Sequence, residues 1–193
     1  MITVIVLAAG LSRRMGKPKM PLPWGSTTVL GIVLRVIGAA GAEDTVVVTG
    51  AARDAVKAIC HEAGVRTVEN PDYESGEMLS SLKAGLQGVH PAAQAALVVL
   101  GDQPGIQEPV VRAVLRCHRE SGASLVVPSY QRRRGHPWLI GQEWWPEILG
   151  MQWPETPRDF LNRHSGAIHY VEADTPSILQ DIDTPEEYLK SRP

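Results

Sequence analysis

Two cysteines and one phenylalanine are all that the 193 residues hold of those types, and no apolar run is long enough to cross a bilayer. Cys60 and Cys117 lack any paired spacing, so neither a disulfide framework nor a zinc knuckle is indicated. Each precedes a histidine, but neighbours on a helix point about 100° apart and chelate one ion poorly. Both cysteines are expected in core or half-buried places. Without an 18-residue apolar run or a signal-type start, no membrane span and no secretory leader are expected, and the cytoplasm is the default compartment. An excess of one charge is missing too: 19 Lys and Arg against 21 Asp and Glu leave a net charge of -2. That balance argues against a general nucleic-acid binder and leaves a small molecule as the expected nucleotide partner.

The common phosphate fingerprints are also absent. Neither G-x-x-x-x-G-K-[ST] nor G-x-G-x-x-G follows the first apolar run, which disfavours a P-loop ATPase and a dinucleotide-dependent dehydrogenase. What stands there is Leu7-Ala-Ala-Gly-Leu-Ser-Arg-Arg-Met-Gly-Lys-Pro-Lys19. A strand ending in Leu7, Ala8, Ala9 and Gly10 and followed by Arg13, Arg14, Lys17 and Lys19 offers a tight turn, backbone N–H groups and mobile cations to a polyphosphate. Gly10 and Gly16 can take positive φ and lack a Cβ, so amides there can approach anionic oxygens. Arg13 or Arg14 can clamp two oxygens, whereas Lys19 suits a point contact with a leaving pyrophosphate. A solvated basic loop is the alternative reading.

Along the chain, β-type runs at Ile2–Leu7, Thr45–Thr49, Val65–Val68, Ala95–Leu100 and Ser124–Val127 alternate with helix-type spacing at Thr27–Ala40, Ala51–Ala63, Leu79–Val89 and Glu108–Ser121. This alternation predicts one α/β domain over residues 1–193, a mostly parallel sheet with helices on both faces, large enough to bury roughly 70% of its unfolded surface. Ligands belong at the carboxyl ends of its strands. Beyond Pro128 the pattern is looser: a turn-rich basic segment at Arg132–Pro137, a strand at Trp138–Ile140, a short helix at Gln142–Leu149 and a late strand at Ile168–Val171. Thr184-Pro-Glu-Glu187 has the form of an N-cap with proline in the first turn.

Acidic residues fall where such a site needs them. Asp102 follows Ala95–Leu100 through one glycine, placing a carboxylate at a strand exit, where Mg2+ takes one or two protein carboxylates together with water and phosphate. Gly-Asp-x-Pro is equally good turn chemistry. Asp181 and Asp183 face the same way if extended and can join Asp102 at a metal; alternatively Asp183 caps the helix near Thr184. His136 is a loop histidine between Gly135 and Pro137, free to contact a ligand or only to fill its loop. Trp138, Trp144, Trp145 and Trp153 can floor an aromatic-ligand pocket or complete a core, with core expected for at least two.

Three separated motifs, L-A-A-G-x-S-x-R-M-G-x-x-K (Leu7–Lys19), G-D-Q-P (Gly101–Pro104) and D-I-D-T-P-E (Asp181–Glu186), resemble those of the molybdenum cofactor nucleotidyltransferases. Ala9 in L-A-A-G and Arg133-Arg-Gly-His-Pro137 look more like the cytidylyltransferase branch than the guanylyltransferase branch. The resemblance implies a three-layer α/β/α Rossmann-like nucleotidyltransferase fold with a mixed sheet. It implies phosphate roles for Arg14 and Lys19, magnesium at Asp102 with Asp181 or Asp183, and nucleotide contacts from Leu7, Ala8, Ala9, Gly10 and Arg13. It also implies base contacts from Ser80 and Ser81, serines that equally suit a helix N-terminus, and acceptor contacts from Arg134, His136 and Pro137. The serine stretch Gly76–Leu82 is one residue longer than the usual G-M-x-S-S-L, and Thr156–Arg163 replaces the G-D-x-G-A-R often found in such cytidylyltransferases.

The activity implied is attack by the terminal phosphate of molybdopterin cofactor on the α-phosphorus of CTP, with Mg2+ present and pyrophosphate leaving. An ionised phosphate needs no general base, so no histidine is required for one. The part after residue 128 would then hold the pterin acceptor, and a molybdenum hydroxylase apoenzyme is an expected partner. Two other readings remain: transfer to another phosphorylated acceptor such as a sugar or polyol phosphate, and a chaperone that holds the cofactor for such a hydroxylase.

Overall fold

A computed structural model describes residues 1–75 and 77–193; Gly76, which opens the serine stretch, lies outside them. The chain runs β1 (Ile2–Leu7), β2 (Pro23–Trp24), β3 (Thr27–Thr28), α1 (Val29–Ala39), β4 (Asp44–Thr49), α2 (Arg53–Ala63), β5 (Arg66–Glu69) and α3 (Glu77–Gln87). It continues through β6 (Ala95–Leu100), α4 (Glu108–Ser121), β7 (Leu125–Tyr130), β8 (Arg133–Arg134), β9 (Trp138–Gly141), α5 (Trp145–Gly150), α6 (Pro157–Arg163), β10 (His169–Glu172) and α7 (Pro185–Ser191).

The main sheet has the order β10-β7-β9-β6-β1-β4-β5, with β8 paired to β7. β1, β4, β5 and β6 are mutually parallel, β10 lies parallel to β7, and β9 enters antiparallel between β6 and β7. The result is a single α/β domain with a mostly parallel, mixed sheet. Alternation along β1 assigns the two faces: Val4 and Val6 join a core with α1, α2 and α4, while Ile5 and Leu7 join a core with α3, α5 and α6. Helix α3 lies close on β1 because Gly85 has no side chain; a Cβ there would overlap Ile5 Cγ2.

The looser half is more regular than its sequence pattern. Strand β7 continues through Pro128 to Tyr130, since its ladder to β9 ends at Val126 and the missing proline N–H falls beyond it. The segment expected as a plain turn is a hairpin from β7 to β8, closed by Gln131 and Arg132, both at positive φ as a two-residue primed turn requires. Helix α1 starts two residues later than its periodicity suggests, because Thr28 accepts from the Gly31 N–H at 3.0 Å as N-cap while Thr27 and Thr28 pair with β2. The segment Thr156–Arg163 contains helix α6, opened by a capping box of Thr156 and Asp159.

Cys60 is buried, which pushes its thiol up to about 11, and Cys117 is half-buried, the core and half-buried places expected of them. Trp138 is fully buried, and Trp144 packs edge-on against Phe160, with ring centroids 5.8 Å apart. Trp145 donates to the Ile140 carbonyl, whereas Trp153 stands 79% exposed.

Candidate active site

β1 and β6 are neighbours, so their exits deliver the basic loop and Gly101-Asp102 to one place, the point where strand order reverses. The C-terminal segment is tied to the same spot by the Ile182 N–H, which donates to the Asp102 carbonyl at 3.0 Å. Asp102, Asp181 and Asp183 each offer an oxygen within 4.8 Å of the others. Lys19, 7% exposed, reaches into this cluster: its Nζ lies 2.6 Å from Asp102 Oδ2 and 3.1 Å from Asp183 Oδ1. Arg14 pairs with the other Asp183 oxygen at 2.6 Å, from a side chain that is 69% exposed.

The electrostatics follow from this crowding. Burial works to lower the Lys19 pKa, but the Asp102 and Asp183 carboxylates outweigh it and hold the ammonium above its usual value. Desolvation works to raise the Asp183 pKa, and hydrogen bonding and charge from Lys19 outweigh it, holding the carboxyl below its usual value. Asp181 goes the other way: loss of water around its carboxyl, then the charges of Asp183 and Asp102, raise it, although the residue as a whole is exposed. Three hard oxygen donors at such spacing suit a divalent cation of the magnesium type. Asp183 does not cap the last helix; Thr184 and Glu187 do so reciprocally, which leaves the Asp183 carboxylate to the cations.

Above the cluster opens a cavity of about 590 Å3, lined by Leu7, Ala9, Gly10, Arg13, Arg14 and Lys19 from the loop. Tyr73, Glu74, Met78 and Ser81 close the other side, with Asp102, Asp181 and Asp183 at the base. Several expected contacts fall differently. Ala8 is buried, spends its N–H on the Val48 carbonyl at 3.0 Å, and is not part of the cavity wall. Gly10 does not use positive φ; Ser12 does, at 51°, as does Gly16, and Ser12 Oγ then accepts from the Lys19 N–H at 3.2 Å. Ser80 turns away from this cavity into an adjoining cleft, so only Ser81 of the pair faces it. Asn70, which the sequence reading passed over, is 3% exposed and bonds to both serines; its signal was the Asn-Pro turn at the exit of β5.

A MobA-like NTP transferase domain matches residues 4–168. The chain belongs to that family. It is 31% identical to nicotine blue oxidoreductase of Paenarthrobacter nicotinovorans over 98% of this chain and 95% of that protein. It is 28% identical to the molybdenum cofactor cytidylyltransferase of Escherichia coli over 99% and 95%. The crystal structure of Rv0371c from Mycobacterium tuberculosis and that of its complex with manganese superimpose with TM-scores of 0.81 and 0.76, at 31% and 29% identity, each covering 98% of this chain and 96% of that one. The chain is a nucleotidyltransferase by family, and its fold is that of the family.

In this MobA-like transferase a second groove of about 820 Å3 meets the first at Met78, and Arg132, Arg133, Arg134, His136, Asn162 and Tyr170 line it. Arg134 is held by Tyr170 Oη and Asn162 Oδ1, both at 2.8 Å. Burial pushes the His136 ring down to about 4, and its occluded Nε2 has no partner among the described residues. Pro137 is buried beneath the groove and does not line it. Among the described residues no helix is long and apolar enough to cross a membrane.

Proposed function

We propose that the chain transfers CMP from CTP to the terminal phosphate of molybdopterin cofactor and releases pyrophosphate. The observation that carries this reading is Lys19, a buried ammonium between Asp102 and Asp183 on the floor of the cavity formed by the basic loop. A holding protein has no need of a buried cation and three carboxylates converging at one strand exit. The relative named as a molybdenum cofactor cytidylyltransferase supports the choice of nucleotide and acceptor. A relative named as an oxidoreductase shows that family membership alone leaves the substrates open, so the weight rests on the site.

In this reading an acceptor phosphate oxygen forms a bond to the α-phosphorus, the bond from that phosphorus to the bridging oxygen breaks, and the leaving pyrophosphate keeps the electron pair. Residues before about 128, joined by Asp181 and Asp183, hold the nucleotide, and the second groove after residue 128 holds the acceptor. Asp102, with Asp181 and Asp183, would hold Mg2+, which supplies charge neutralisation at the phosphates; the manganese complex of the Rv0371c protein is in keeping with a divalent ion in this fold. Lys19 leaves its carboxylates for the leaving group, and Arg14, exposed at the rim, exchanges its Asp183 partner for the β- and γ-phosphates. Arg134 and His136 receive the acceptor in the second groove.

Incubation with CTP, Mg2+ and molybdopterin cofactor, followed by mass spectrometry, tests the reading. The expected product is the cofactor carrying one cytidylyl group. A cytidylylated sugar or polyol phosphate with the pterin unchanged would move the acceptor to the alternative class. Tight cofactor binding with no product would favour a chaperone delivering it to a molybdenum hydroxylase.

A further inference from the structure

Asn70 sits at the exit of β5 with its own N–H donating to the Thr49 carbonyl at 2.9 Å. Its side-chain amide has a fixed orientation. Asn70 Oδ1 accepts from the Asp72 N–H at 3.0 Å, and a backbone N–H can only donate, so the opposite end, Nδ2, must face the serines. From there Nδ2 donates to Ser80 Oγ at 2.8 Å and to Ser81 Oγ at 3.0 Å.

Each serine hydroxyl carries one donor hydrogen, and the two spend it differently. Ser80 donates to the Glu77 carbonyl at 3.1 Å. Ser81 accepts from Asn70 and has no acceptor for its own hydrogen among the described residues, while it is 7% exposed and forms part of the nucleotide cavity wall. We infer that Asn70 is a positioning residue that fixes the polarity of Ser81, so that Ser81 presents an O–H donor to an acceptor atom of the bound nucleotide, a ring nitrogen or carbonyl oxygen of the base. This rests on the proposed nucleotide site and adds which way the hydrogen bond runs. A pocket wall of set polarity discriminates between bases more sharply than a freely rotating hydroxyl, because a base offering N–H at that point meets a second donor.

Calorimetric titration with CTP and Mg2+ of the full chain tests it, using Ser81→Ala, Asn70→Asp and the double variant, with thermal unfolding measured alongside. Asn70→Asp keeps the size and the Asp72 bond but replaces both donor hydrogens with an acceptor, so Ser81 must turn its hydrogen inward. Ser81→Ala is expected to weaken CTP binding about tenfold, Asn70→Asp at least as much, and the double variant no more than Asn70→Asp alone. Losses that multiply in the double variant would overturn the coupling, as would Ser81→Ala binding CTP like the wild type. Should Asn70→Asp prove unfolded, Asn70→Ala takes its place in the cycle, with weakened CTP binding and losses that do not multiply with Ser81→Ala again expected, and unchanged binding or multiplying losses overturning the inference. If the wild type binds neither CTP nor GTP, the nucleotide site itself fails and this inference with it, whereas wild-type binding that Ser81→Ala leaves unchanged overturns only the inference.

Discussion

The Lys19 ammonium lies 2.6 Å from Asp102 Oδ2 and 3.1 Å from Asp183 Oδ1, and so ties up two of the three carboxylates whose spacing suits a divalent cation. Substituting Lys19 by Met therefore removes a charge that the carboxylates need and also frees Asp102 and Asp183 for an ion. Without divalent ions the variant is expected to lose about 2 kcal/mol of stability, the penalty of leaving partly buried charges unpaired. Millimolar Mg2+ should then raise its melting temperature by several degrees more than that of the wild type. Equal Mg2+ responses in the two proteins would mean that Lys19 and the ion do not compete.

Gly85 permits the close approach of α3 to β1, and any Cβ there meets Ile5. Gly85→Ala is expected to destabilise by about 1–3 kcal/mol through overpacking, despite the better helix propensity of alanine. Urea unfolding measures this directly; a stabilised variant would show that α3 can move away from the sheet without cost.

His136 makes stability fall in mild acid. Its folded pKa of about 4 lies below the ordinary 6.5, so the unfolded chain binds the proton first. The contribution is complete above pH 6.5, is lost as pH drops towards 4, and levels off below that. By pH 4.5 the loss amounts to about 2.5 kcal/mol. Unfolding of the wild type and of His136→Gln at pH 7 and pH 4.5 checks it: the wild type should lose more stability between the two, and parallel losses would contradict the assignment.

Much of this was legible in the order of residues. Alternating apolar runs located the parallel strands, and a β-run ending in Leu7-Ala-Ala-Gly10 placed the cations at the right strand exit. Asp102 and the Asp181/Asp183 pair lie 79 residues or more apart in sequence, yet they could be grouped because each stands beside a strong turn or cap signal. The Thr184 cap was readable; the same Thr-Pro-x-acid pattern at Thr156-Pro-Arg-Asp159 was there to be read and marks α6. Other features depend on partners far away in the chain. Whether Ser80 or Ser81 faces the cavity is decided by the rotation of α3 on β1, and Ala8 loses its N–H to a neighbouring strand. Pro128 read as a stop because a proline's tolerance in a strand depends on where the adjoining ladder ends.

Pyrophosphate release from CTP with Mg2+ and the phosphorylated acceptor, compared between the wild type and Asp102→Asn, tests nucleotidyl transfer at this site most directly. The expected outcome is acceptor-dependent release by the wild type and a fall of about a thousandfold in the variant, since the strand-exit carboxylate holds Lys19 and on the proposed reading would also hold the ion. Near-normal release by a folded Asp102→Asn protein would contradict a metal-assisted reaction at the Asp102 cluster.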